Sequence, residues 1–198
     1  TGAFDAIHNL ESTKLNRRDL LLHLSDLRQG PVQVISGSQL TFGFAPPALI
    51  PSGLPELRAS EKVQHEIERL GMDVTHHMIE FYGEFLNAIG AVRSCELLKQ
   101  RSRTSILVAG VKVMLQTPPV RSGKRVIFLT LDDGYGCSDA TFFPDAQTDY
   151  AGTLYNSQLL LVRGEVRRTG ARGVSLRADA AWSLSDVYSQ WLSNKVAI

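Results

Sequence analysis

Cysteine is scarce in this chain: two residues, Cys95 and Cys137, far apart and outside any Cys-x-x-Cys spacing. That argues against a disulfide framework and against a zinc site built on paired thiolates. It suits a reducing compartment. No apolar run approaches the roughly 18 residues that a membrane-spanning helix needs, and no stretch has the layout of a signal peptide. Net charge is also small, +1, so the totals do not call for a polyanionic partner. Neither a phosphate-binding glycine loop nor a nucleophile–base pair is visible, which leaves a free-standing enzyme without support. What remains is an ordinary globular composition, 43% hydrophobic and 21% charged over 198 residues. That length allows one domain with a real core or two small ones. The expectation is a cytoplasmic protein with no membrane partner. The first residue is Thr1 rather than Met, and the chain is expected to be a piece of a longer one.

The texture changes along the chain. Residues 1–29 read as helical, with Asn16 placed to cap a helix and Asp19 to reach back to it. Residues 30–55 hold five of the eight prolines (Pro31, Pro46, Pro47, Pro51, Pro55) and little charge, the composition of an extended linker. Residues 56–103 return to a helical pattern. Ser60 is the expected N-cap, Val63, Ile67 and Leu70 form a stripe, and Gly71 ends the helix; a second helix is expected over residues 79–89, closed by Gly90. From residue 104 the period shortens to that of strands. ILVAGVKVML, RVIFLTL, CSDATFF, QLLLVRGEVRR and GVSLRADAAW are short β-rich runs, with room for one helix between the third and fourth. That order fits an OB-fold, a five-stranded Greek-key barrel, over residues 104–187, with residues 188–198 as a tail. Another small barrel or a sandwich fits the same pattern. Gly110 and Gly164 interrupt the first and fourth strands, where a bulge or a barrel corner is expected. The predicted class is therefore α+β, a helical N-terminal part followed by a β-barrel.

The small net charge hides opposed patches. Residues 97–131 hold seven basic side chains and no acidic one, residues 163–177 hold five arginines against Glu165, and residues 132–150 hold five aspartates and no Lys or Arg. On an OB-fold the basic segments include the loop between strands one and two and the loop between strands four and five, which flank the oligonucleotide groove. Lys112, Arg121, Lys124, Arg125, Arg163, Arg167, Arg168 and Arg172 are thus candidate phosphate contacts. Phe128, Phe142 and Phe143 are candidate stacking faces, of which one or two at most should point outward, since a strand Phe is usually core. Asp132-Asp133 could be taken for a metal-binding pair, but Asp-Asp-Gly after a strand favours turn geometry.

Several motifs together resemble the C-terminal part of bacterial DNA polymerase III alpha subunits, the error-prone branch above all. Gly2-Ala3-Phe4-Asp5 and Asn16-Arg17-Arg18 match a helix-hairpin-helix region, and Glu66 to Gly71 with His76-His77-Met78 match the segment after it, without the proline usual there. In the barrel the matching residues are Val108-Ala109-Gly110, Gln116-Thr117-Pro118, Phe128 to Asp133, Gly136 and Phe143-Pro144. Met114, Leu115 and Thr117 stand where the first loop usually has arginines, and Phe143 replaces a Trp. The resemblance implies an OB-fold that binds single-stranded DNA in replication or translesion repair. It places the polymerase palm, with its Mg-binding carboxylates, upstream of Thr1; no catalytic residue, metal or cofactor is expected in this chain. A cytoplasmic, nucleoid-associated location follows.

The linker adds a second candidate. Gln39, Leu40, Phe42 and Phe44 resemble the short peptides by which bacterial polymerases bind a sliding clamp, with Gln39 as polar anchor and the others as pocket-filling groups. The alternative is an apolar strip packed on the chain's own helices. Two further readings compete with DNA binding. The barrel could dock another replication or repair protein, as the acidic segment and the missing first-loop arginines suggest. It could also be a tRNA-binding OB module like those fused to synthetases, which the helical lead-in argues against.

Overall fold

The computed structural model describes residues 15–27, 50–118, 125–170 and 173–196. The chain divides into two compact units, Thr1–Thr75 and His76–Ile198. The expected clamp-binding residues Gln39, Leu40, Phe42 and Phe44 lie outside the described residues, as do Arg121, Lys124 and Arg172.

The first unit contains α1, Arg17–Leu27, and α2, Ala59–Leu70. The start of α1 follows the expected pattern. The Asn16 amide donates to the Asp19 carboxylate and the Asp19 amide donates to Asn16 Oδ1, both at 2.9 Å. Asp19 is buried and also accepts from the Ser52 hydroxyl and amide, and these bonds hold its carboxyl below the usual range. The cap of α2 lies two residues before the expected one. Arg58 precedes the helix and Glu61 reaches back to its amide at 2.8 Å, which puts Ser60 inside the first turn. The apolar stripe also differs. Val63 is buried, but Leu70 is 56% exposed and Glu66 takes a buried place. Gly71 turns the chain back at a φ of 75°, and the amides of Val74 and Thr75 then donate to Glu66 at 2.9 and 3.0 Å. With the Thr75 amide as the largest contributor, these bonds lower the Glu66 pKa.

The second unit is a closed barrel. Its strands are β1 Ser105–Gln116, β2 Ile127–Asp132, β3 Cys137–Phe142, β4 Leu159–Thr169 and β5 Gly173–Ser183, in the order β1-β2-β3-β5-β4. All pairs are antiparallel except β3 with β5. β1 closes the barrel by pairing with β4 over Ser105–Val111 and with β2 over Val111–Gln116. Gly110 stands at that handover, where a Cβ would come 2.7 Å from the Asp132 carbonyl; a close approach, not a bulge, requires glycine. The register break in β1 falls two to four residues later, between Lys112 and Met114. Gly164 does sit at a register break, and its Cβ would come 2.7 Å from the Arg177 carbonyl.

Inside the barrel, Ile106, Val108, Leu129, Leu131, Phe142, Val162 and Leu176 form one core. Helix α4, Pro144–Asn156, adds Leu154 to it. On the outside of β1 and β4, Leu107, Ala109, Val111 and Leu161 are covered by a second cluster. It comes from a 3-10 turn at Met78–Tyr82, the short helix α3 at Gly83–Ala88, and α5 at Leu184–Val196. Phe85 is its centre, with Trp191 and Tyr188 at ring-centroid distances of 5.4 and 5.7 Å. The stretch expected as a tail thus holds most of a packed helix. Its Trp, Tyr and Leu spacing explains this, because an apolar stripe on α5 needs a partner and the outer face of β1 and β4 provides it. Among the described residues no helix is long and apolar enough to cross a membrane.

Candidate nucleic-acid interface

Among the described residues, the outer face of β2 and β3 has no such cover at Phe128. β2 alternates strictly: Ile127, Leu129 and Leu131 point into the core, while Phe128, Thr130 and Asp132 point out. Register then assembles a row across the strands. Gln116 pairs with Phe128, Phe128 with Thr141, Thr141 with Arg177 and Arg177 with Glu165. Phe128 is 42% exposed, a large aromatic beside the outward-facing Thr130, Asp139 and Thr141, with exposed Met114 opposite Thr130. At the end of β3, Phe143 precedes α4, and two guanidinium groups lie over its ring: Arg177 at 5.3 Å and Arg167 at 5.9 Å. Arg125 is exposed just before β2, and its carbonyl accepts from Gln147 Nε2 at 2.7 Å, which ties the start of the strand to α4. Phe128, Phe143, Arg125, Arg167 and Arg177 therefore combine flat apolar rings with exposed cations, the two groups a nucleic-acid strand needs.

The remaining candidates fall elsewhere. Phe142 is fully buried, not a stacking face, because it shares the inward parity of Ala140 on β3. Lys112 is not free for phosphate: its ammonium donates to the Leu154 carbonyl at 2.7 Å and the Tyr155 carbonyl at 3.0 Å, closing the C-terminal end of α4. Arg168 is likewise engaged, donating to the carbonyls of Leu98 and of Gln100, the latter at 2.8 Å. Arg163 is paired with Asp179 at 2.8 Å, and that hydrogen bond raises its pKa further. It also lies 5.7 Å from the Trp182 ring centroid. Long-range partners of this kind leave no local trace in the sequence. Arg177, in contrast, is missing from the sequence-based candidates although a signal existed. In Leu176-Arg177-Ala178-Asp179-Ala180 the small and apolar residues alternate inward, which forces Arg177 out.

The acidic turn has a structural task. The Gly134 amide donates to Asp132 Oδ1 at 2.9 Å and the Tyr135 amide to Asp133 Oδ1 at 3.0 Å. Gly134 has a φ of 82°, and a Cβ there would come 2.9 Å from the His77 ring. Asp133 is buried and receives the Ser94 amide and hydroxyl at 2.7 and 2.6 Å, which anchors the 3-10 turn Ser94–Lys99 to the barrel. No group of three or more metal-ligating side chains is found among the described residues. Beside the turn, burial and then the charges of Asp132, Asp139 and Asp133 push the Cys137 thiol up, so it stays protonated at neutral pH.

Comparison with known proteins agrees with the barrel fold. Residues 106–184 match the family model of the OB-fold nucleic acid binding domain. Over 182 residues, 85% of its length, the chain is 31% identical to an error-prone DNA polymerase from Symbiobacterium thermophilum. It is also 31% identical over 132 residues, 66% of its length, to the DNA polymerase III subunit alpha of Pseudomonas aeruginosa. The chain spans 17% of the first relative and 11% of the second. Among solved structures, the mitochondrial single-stranded DNA binding protein Rim1 from S. cerevisiae aligns with 42% of the chain and 97% of its own, at 14% identity and a TM-score of 0.34. Residues 106–184 are an OB-fold nucleic acid binding domain, in a chain that over most of its length is homologous to a small part of error-prone DNA polymerases and DNA polymerase III alpha subunits.

Proposed function

We propose that this chain is a strand-holding module of a bacterial DNA polymerase, and that the β2–β3–β5 face binds single-stranded DNA near the polymerising site. The observation that carries the reading is Phe128, an exposed ring in one cross-strand row with Thr141 and Arg177. A base stacks on the ring without regard to its identity, and the guanidinium groups of Arg125, Arg167 and Arg177 meet the phosphates. The homologous polymerases support a role in replication or translesion repair. Nucleotidyl transfer, with the Mg ions that serve it, is assigned by the resemblance to other parts of the longer protein. The linker residues Gln39, Leu40, Phe42 and Phe44 would tether the module to the sliding clamp; loss of clamp pull-down on Gln39→Ala with Phe42→Ala is the expected result.

A labelled oligo-dT titrated with the full chain tests the DNA reading. Binding is expected to be micromolar or weaker at low salt and to fall steeply as salt rises. Absence of binding at low salt would favour a second reading, in which the same face docks a replication or repair protein. That reading has its own support, since Lys112, Arg163 and Arg168 are already engaged within the barrel.

A further inference from the structure

The strand-holding reading leaves one exposed carboxylate on the open face unexplained. Asp139 is directly opposite Thr130 in the β2–β3 pairing, one step along the same outward face from the Phe128–Thr141 pair. An acid there works against phosphates, yet it is held in place: Thr130 Oγ1 donates to Asp139 Oδ1 at 2.7 Å. Oδ2 meets no donor among the described residues, and Asp139 is exposed. The face thus presents an aromatic platform and, beside it, an oriented carboxylate whose second oxygen meets no donor among the described residues.

The spacing suits a base. Phe128 and Thr130 are two residues apart on one face of a strand, so about 7 Å separates the ring's position from that of the Thr130–Asp139 pair. The exocyclic group of a pyrimidine centred on the Phe128 ring lies about 3 Å from that centre, and a hydrogen bond of about 2.9 Å spans most of the remaining distance. A carboxylate can only accept hydrogen bonds. At position 4 cytosine offers it the N4 amine, a donor, whereas uracil and thymine offer O4, another acceptor, and carry their own N3–H donor one position further round the ring. A site whose polar group is matched by one base and opposed by another discriminates more strongly than an apolar pocket does.

We infer that Asp139, positioned by Thr130, reads the base stacked on Phe128 and selects bases with an exocyclic amine, cytosine over uracil or thymine. The inference rests on the proposal that this face binds single-stranded DNA, and it adds a base preference that stacking and phosphate contacts alone do not provide.

Titration of the full chain with oligo-dC and oligo-dU of equal length, at low salt and neutral pH, tests it. The two probes differ only in the pyrimidine's hydrogen-bonding edge. The wild-type chain should bind oligo-dC tighter by roughly tenfold, as one hydrogen bond to a charged group allows. Asp139→Ala should bring the ratio close to one by weakening oligo-dC binding. Thr130→Val, which frees the carboxylate without removing it, should lower the ratio part of the way. Equal wild-type affinities overturn the base preference and leave strand binding standing. So does an Asp139→Ala variant that binds both probes more tightly by the same factor, since the carboxylate then only repels phosphate. Failure of both probes to bind the wild-type chain removes the strand-holding reading, and this inference with it.

Discussion

The two sides of the barrel treat exposed apolar groups in opposite ways. On the outside of β1 and β4, Leu107, Ala109, Val111 and Leu161 are apolar and lie beneath Phe85, Tyr188 and Trp191. On the outside of β2 and β3 the outward residues are mostly polar or charged, and Phe128, the large ring among them, has no cover among the described residues. β1 is accordingly apolar at both parities, as a strand buried on both faces should be, while β2 alternates. An aromatic left open on an alternating strand is therefore a stronger pointer to a ligand than any of the buried rings. The same contrast sorts the cations. Lys112 and Arg168 cap backbone carbonyls, whereas Arg167 and Arg177 lie over an aromatic ring at the edge of the open face.

Substitutions on the two sides should separate stability from binding. The largest expected effect is on the covered side. Phe85→Ala removes the centre of the outer cluster and should destabilise the chain by about 3–5 kcal/mol, read as a fall in the thermal midpoint. Phe142→Ala, inside the barrel, should behave alike and confirm that it is core. Next comes Phe128→Ala, which should leave the midpoint nearly unchanged and weaken oligonucleotide binding by about 1–3 kcal/mol. A fall in stability without a change in affinity would place Phe128 with the covered rings instead. Smaller still, Lys112→Ala should cost about 1 kcal/mol of stability through the lost cap on α4, with oligonucleotide affinity unaltered.

A gentler contrast separates the two units. Around Asp19 and Glu66 the first unit relies on carboxylates bonded to backbone amides, and both pKa values are lowered. Groups with a depressed folded pKa stabilise the fold above their unfolded values, roughly 4, and that contribution is lost as pH falls through the folded values. Both tryptophans, Trp182 and Trp191, belong to the second unit. On acid titration the far-ultraviolet helical signal should therefore begin to fall before tryptophan fluorescence changes. Coincident transitions would show that the carboxylates do not set the first unit's acid response.

Much of the barrel could be read from residue order. Strand boundaries, the helix between β3 and β4, and the turn role of Asp132-Asp133 follow from local periodicity and turn chemistry, and the structure agrees with each. The Asn16–Asp19 cap was legible for the same reason. Three things were not. Whether Phe142 or Phe143 faces outward depends on where β3 begins its alternation, and one residue of register exchanges them. The engagement of Lys112 with Leu154, and of Arg168 with Gln100, joins residues about forty or more positions apart and has no local signature. The burial of Glu66 needed the chain to turn back at Gly71, so that two amides could replace water around it.

The open face is tested most directly by replacing Arg125, Arg167 and Arg177 with glutamine together. Oligo-dT affinity is then measured across a salt series, with thermal melting run alongside. The account predicts an intact melting midpoint, a large loss of low-salt affinity, and a shallower dependence of log affinity on log salt, by about 0.7 for each phosphate contact removed. A properly folded triple variant that keeps both the wild-type affinity and the wild-type salt slope would contradict it.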